Sequence, residues 1–184
     1  MQIDQLKREI PDFAKDLRIN LGNVVDVEQA EGMTAEQVWL TALATAVACK
    51  NEALINAVAT DAAEHLDAKG LDAARAAAAI MGMNNIYYRF LHLSSNTEYQ
   101  KMPAKLRMTV IGNPGIDKID FELISLAVSA INGCGLCVDS HEKILKKAGV
   151  RSEVIQHAVR IASVIHAVAG VLDTREIAAL DAAA

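Results

Sequence analysis

The sequence predicts an all-α protein, and three observations carry that reading. Hydrophobic residues make up 52% of the chain but aromatics only 4%, and alanine is abundant, a composition that favours packed helices over sheet. Apolar residues recur three and four apart along most of the sequence, the period of a helix face. Capping residues and glycines stand where those periodic segments start and stop. At 184 residues the chain is expected to form a single domain, residues 1–184, with a substantial core.

The elements follow in order. Ile3, Leu6, Ile10 and Phe13 mark a short amphipathic helix interrupted near Pro11. A loop is expected within residues 20–33, which carry Gly22 and Gly32. Thr34 and Gln37 have the spacing of a capping box, and the helix they open runs through Trp39, Leu40, Leu43 and Val47 to about Cys49. Residues 51–68 form the next helix, with Leu54, Ile55, Val58, Ala62 and Leu66 on one face and Gly70 as its terminator. Asp72 caps a helix running through Ala76, Ile80 and Met83 to about Phe90.

Residues 91–118 are less regular. Ser94, Ser95, Asn96 and Pro103 mark one loop, and Asn113-Pro114-Gly115 has the order of a type II turn. Asp120 then caps a helix through Leu123, Ile124, Ala127 and Val128, which Gly133 breaks. Another helix starts near Cys134 and ends at Gly149. Ser152 opens the last, through Ile155, Val159, Ala162 and Val168, and a short tail starts at Asp173. The helices flanking Lys69-Gly70-Leu71 resemble those flanking Ala148-Gly149-Val150, so residues 34–90 and 118–172 read as two related halves.

Charge and hydropathy exclude several function classes. The net charge is −5 and no Lys/Arg cluster offers a footprint for a phosphate backbone, so nucleic acid is not expected as a partner. Met1–Ile10 lacks the apolar core of a signal peptide. The longest weakly polar stretch, Trp39–Cys49, is too short to cross a bilayer, so no membrane association is expected. A cytoplasmic protein is the expectation. In that reducing compartment a CxxC is more often catalytic or metal-binding than a structural staple.

The chemistry is concentrated in Cys134-Gly135-Leu136-Cys137-Val138-Asp139-Ser140-His141, with Glu122 twelve residues upstream of Cys134. On a helix, Cys134 and Cys137 lie one turn apart, and Cys137 and His141 form the next such pair. A helix N-terminus favours a thiolate, an imidazole can take the thiol proton, and a carboxylate can orient that imidazole. His141 is one turn from Cys137 but seven residues, about 10 Å, from Cys134. That asymmetry makes Cys137 the nucleophile and Cys134 the resolving thiol. Peroxide would oxidise Cys137 to a sulfenic acid, which Cys134 condenses to a disulfide.

Two alternatives stay open at this level. The cysteines can be small buried hydrophobes, or Cys134, Cys137, His141 and Glu122 can bind zinc, although no second CxxC is present. Cys49 reads as a core residue. His65, His92, His157 and His166 read as surface or satisfied core residues, and Met81 and Met83 as packing.

At these residues the chain resembles the alkyl hydroperoxide reductase D family, within the carboxymuconolactone decarboxylase-like superfamily. The resemblance is carried by Phe121-Glu122-Leu123, Ala127 to Cys134, Cys137 and His141, a combined E-x11-CxxC-x3-H pattern. Ala79-Ile80-Met81-Gly82-Met83-Asn84-Asn85, Asn113-Pro114-Gly115-Ile116 and the Leu6–Asn20 region are similar to family segments too.

The resemblance implies an all-α fold of two related helical halves and a homotrimer. It implies a lipoyl-dependent peroxidase for alkyl hydroperoxides, with no bound cofactor. The external reductant would be dihydrolipoamide carried on an acyltransferase subunit, and electrons would also pass to a partner peroxiredoxin. By position, Cys137 would be the peroxide-reactive cysteine, Cys134 its disulfide partner, and Glu122 and His141 the proton relay. Family members often carry a histidine just before the second cysteine; this chain has Leu136 there. The rival readings are a redox adaptor with slow peroxide turnover, a decarboxylase-like enzyme of the wider superfamily, and a zinc protein.

Overall fold

The computed structural model describes residues 1–181, with side chains through Thr174. Its helices are α1 (Gln2–Lys7), α2 (Lys15–Val24), α3 (Ala35–Cys49), α4 (Glu52–Ala62), α5 (Ala68–Leu93), α6 (Glu98–Lys101), α7 (Thr109–Gly112), α8 (Lys118–Ile131), α9 (Gly135–Lys147) and α10 (Ser152–Asp181). Short 3₁₀ turns at Asp12–Ala14 and Val27–Gln29 flank α2. No strand occurs among the described residues, so the chain is all-α.

Two helices form the centre. α3 is buried on every side from Val38 to Ala46, and α8 is buried at Phe121 and from Leu123 to Ser129. A helix apolar all round has to be enclosed. α3 and α8 pack on each other, and α5 and α10 each pack against both. The two threonines inside α3 satisfy themselves: the Thr41 and Thr45 hydroxyls each donate to the carbonyl four residues back, at 2.7 Å. At the N-terminus, buried Asp61 accepts from the backbone N–H groups of Gln2 and Ile3 at 2.7 and 2.9 Å, which ties α1 to α4.

Helix starts fall at matched intervals. α8 begins 83 residues after α3 (118 against 35), α9 83 after α4 (135 against 52), and α10 84 after α5 (152 against 68). The corners match as well. Lys50 and Gly133 both adopt φ +65°, and the next residue in each case, Asn51 or Cys134, caps the following helix.

The Thr34–Gln37 capping box forms as expected, with both reciprocal bonds at 3.1 Å. Several boundaries differ from the sequence reading. Gly70 does not end a helix; it lies in the first turn of α5, where its N–H donates to the N-cap Asp67 at 2.8 Å. A glycine costs little there because that N–H has no partner within the helix. Asp67 therefore replaces Asp72 as the cap, and Asp117 replaces Asp120, its carboxylate accepting from Ile119 N–H at 2.7 Å. Gly22 is inside α2, so the loop starts only at Val25. Phe13 points outward, 73% exposed, because the 3₁₀ turn after Pro11 takes it off the face of Ile3, Leu6 and Ile10.

Asp173 starts no tail. α10 runs through it, and its carboxylate accepts from Asn51 Nδ2 at 2.6 Å. The segment Ser152–Thr174 is also longer than Trp39–Cys49 and, with mean hydropathy 1.5, meets the length and composition of a membrane span. Its apolar residues lie on one face: Ala158, Ile161, Ile165 and Val168 are wholly buried, whereas Glu153, Gln156, Arg160 and Ser163 are not. That is the pattern of an amphipathic core helix.

Asp120 has a different role from capping. It accepts a 2.7 Å bond from Gln37 Nε2 and joins the N-terminal turns of α3 and α8. Burial raises its pKa above the usual 3.8; Gln37 lowers it and the neighbouring Asp117 charge raises it further. The folded protein thus holds this proton more tightly than the unfolded chain, and the cost of ionisation grows as pH rises through the folded pKa. Asn retains the oxygen that accepts from Gln37. Asp120→Asn is expected to raise the thermal midpoint at pH 7, with the gain vanishing below about pH 4. Paired melting curves check this, and a gain of equal size at both pH values would show that burial of the charge is not its source.

Candidate active site

The site forms where α8 turns into α9. Gly133 adopts φ +65°, a conformation that costs other residues about 1–2 kcal/mol, and this reverses the chain just before Cys134. Side chains from α5 hold the corner. The Arg89 guanidinium donates to the Asn132 carbonyl at 2.5 Å, Asn132 Nδ2 to Asn85 Oδ1 at 2.9 Å, and Asn85 Nδ2 to Ser129 Oγ at 2.9 Å. The Cys134 N–H donates to the Ser129 carbonyl at 3.2 Å.

Cys134 is the N-cap of α9, and its sulfur accepts from the Cys137 N–H at 3.3 Å. The two sulfurs are bonded to each other, with Cα atoms 5.3 Å apart. One turn on, His141 Nδ1 lies 2.5 Å from Glu122 Oε2 of α8. Both side chains are largely buried, 11% and 14% exposed. A carboxylate can only accept, so the proton sits on Nδ1 and leaves Nε2 free to take one. The structure thus brings Glu122, Cys134, Cys137 and His141 together. The chain reversal does this by laying α8 against α9, and Glu122 meets His141 directly, with no bridging residue.

A cavity of about 440 Å³ opens over this group. Cys137, His141 and Glu122 line it, and Cys134, wholly buried, does not. Its walls are apolar: Met81 from α5, Met108 and Ile111 from the irregular segment, and Leu136 and Ile144 from α9. Asn84, Tyr88 and Ser140 add polar atoms. Among the described residues no three His, Cys, Asp or Glu side chains converge to hold a metal.

The matched intervals place the chemistry on one side only. Counting back 83 residues, Asn51 corresponds to Cys134, Leu54 to Cys137, Val58 to His141 and Trp39 to Glu122. Those positions are capping and core residues. The remaining cysteine, Cys49, is half-buried 3.7 Å from His166 Nδ1, and burial together with the Asp173 charge pushes its thiol up to about 11. It is therefore held protonated and unreactive at neutral pH. Of the other histidines, His65 stacks on Trp39 with ring centres 5.2 Å apart, and His157 Nε2 is 3.1 Å from the Val24 carbonyl.

The chain is 56% identical over 173 residues to the alkyl hydroperoxide reductase AhpD of Rhodospirillum centenum, covering 94% of this chain and 91% of that protein. The chain belongs to the AhpD family. The AhpD proteins of Brucella anthropi and Methylocella silvestris are 54% and 53% identical, and the match covers 96% and 97% of this chain and 99% of each of theirs. Residues 97–180 match the carboxymuconolactone decarboxylase family, and these include α8, α9 and the whole CxxC segment.

Sequence reasoning left part of this site unassigned. Met108 and Ile111 stand in a segment without periodicity, and nothing local marks them as pocket walls. Arg89, Asn85 and Asn132 act through contacts 43 or more residues apart. Asn84 and Asn85 did carry a signal, since two amides in succession within an apolar helix need partners or a purpose. Asn85 has its partners. The buried Asn84 Oδ1 has none among the described residues, which costs about 1–3 kcal/mol.

Proposed function

We propose that this chain is a thiol peroxidase that reduces alkyl hydroperoxides through a Cys134–Cys137 dithiol/disulfide cycle. One observation carries the proposal: Cys137 lines an apolar cavity, one turn from a Glu122-bound imidazole and bonded to a sulfur that the cavity does not reach. In the reduced protein, His141 Nε2 takes the Cys137 proton. The thiolate attacks the terminal oxygen of ROOH, the O–O bond breaks, and the departing alkoxide takes the proton from His141 to give ROH. Cys137 is left as a sulfenic acid. The Cys134 sulfur displaces its hydroxyl as water and forms the disulfide.

The buried position of Cys134 suits a resolving thiol, which needs to meet only its neighbour. Apolar walls suit an alkyl substituent. The disulfide is reset by an external dithiol through a mixed disulfide, for which dihydrolipoamide on an acyltransferase subunit is the proposed source. The further proposals are a peroxiredoxin partner, a cytoplasmic setting and a homotrimer. An exposed apolar stripe at Ile86, Phe90 and Leu93 of α5 offers surface for subunit contact.

A second reading, the redox adaptor, is favoured by Leu136. This side chain is 45% exposed at the cavity rim beside the disulfide, where it can dock a partner. A hydroperoxide-consumption assay with dihydrolipoamide, run with and without a peroxiredoxin, separates the two. The peroxidase reading expects rapid turnover by this chain alone. Turnover only with the peroxiredoxin present would favour the adaptor.

A further inference from the structure

We infer that Asn84 binds the hydroperoxide group itself, holding its terminal oxygen toward the Cys137 sulfur. The inference rests on the peroxidase reading and extends it to a residue on a different helix from the four already assigned to the site. Asn84 projects from α5 and lines the same cavity as Cys137 and His141. It is 95% buried, at 5% exposure, and its Oδ1 has no hydrogen-bond partner among the described residues. The next residue, Asn85, engages both atoms of its amide, one with Ser129 and one with Asn132.

The enclosed Oδ1 carries a standing desolvation penalty, which an apolar side chain of similar shape would remove, and it leaves the amide N–H as the group that can meet a ligand in the cavity. A ligand with acceptor oxygens pairs that N–H, and a hydroperoxide has two. Its terminal oxygen accepts from the Asn84 amide N–H. The chemical step preserves this contact. As the sulfur–oxygen bond forms and the O–O bond breaks, the electron pair leaves with RO⁻, which is protonated from His141. The oxygen held by the Asn84 N–H is the one transferred, and its O–H becomes that of the sulfenic acid. Asn84 therefore fixes the reacting end, while the alkyl group lies against Met108, Ile111 and Ile144.

The test is single-turnover oxidation of the reduced protein by tert-butyl hydroperoxide, followed as loss of free thiol, in wild type and in Asn84→Leu. The second-order rate constant is expected to fall about tenfold, as for one lost hydrogen bond in a dry site. Reduction of the Cys134–Cys137 disulfide by dihydrolipoamide should be unchanged, and the thermal midpoint unchanged or higher, because no protein partner is lost. Asn84→Ala should give the same split if leucine does not fit. A loss of rate in both half-reactions with a lower melting point would make Asn84 a packing residue and overturn the inference. An Asn84→Leu protein as reactive as a reactive wild type would remove the inference alone. A wild type inert to tert-butyl hydroperoxide would remove the peroxidase reading, and this inference with it.

Discussion

Cys137→Ser is expected to abolish hydroperoxide turnover, a loss on the order of 10⁴-fold or greater, as when other catalytic nucleophiles are removed. Cys134→Ser should behave differently. Cys137 lines the cavity and Cys134 does not, so the first step needs only the former. The Cys134→Ser protein should consume one equivalent of hydroperoxide, retain one added oxygen by mass spectrometry, and then stop. The result that sinks this assignment is the mirror image, with Cys137→Ser taking up oxygen and Cys134→Ser inert. Cys49 is not expected to substitute for either, because burial keeps its thiol protonated and its place at the end of α3 is outside the cavity lining.

The second large effect belongs to the Glu122–His141 pair. His141→Ala should slow hydroperoxide reduction about 10²–10⁴-fold, the usual worth of a positioned proton carrier. Glu122→Gln removes the charge that faces the imidazole but keeps a side chain able to touch it, so its loss should be smaller. The two act on one proton, which makes the double variant informative. Glu122→Gln with His141→Ala together should be no slower than His141→Ala alone. Multiplying losses in the double variant would mean that the carboxylate acts on the substrate or the thiol by another route. Alkylation of reduced Cys137 at pH 7 should slow in the same order, which separates an effect on the thiol from one on substrate binding.

Much of this was legible because it is local. Thr34 and Gln37 sit three residues apart and cap a helix by bonds that span a single turn. Cys134, Cys137 and His141 are spaced three and four apart, so any helix there puts them in sequence along one face. The roles proposed for the two cysteines rest on the same spacing. Boundaries were less legible where two local signals compete. Asp67 and Asp72 are both plausible caps, and the four residues between them contain a glycine that suits either a helix end or a first turn. Asp173 reads as a break until α4 supplies Asn51 as its partner.

By itself, then, the sequence determined that this protein is helical and that a dithiol and an imidazole share one helix face, because both depend on bonds and spacings within a turn or two. Only the tertiary structure decided what surrounds them. Glu122 reaches His141 because Gly133 reverses the chain and Arg89, Asn85 and Asn132 hold that corner, across separations that no local pattern encodes. The same reversal buries Cys134 and leaves Cys137 facing a cavity whose walls come from α5, α9 and the segment around Met108. Asn84 and Asn85 are identical side chains, neighbours on one helix. The helix turn between them points one at Ser129 and Asn132 and the other into the cavity, and burial without a partner is a property of that packed arrangement alone.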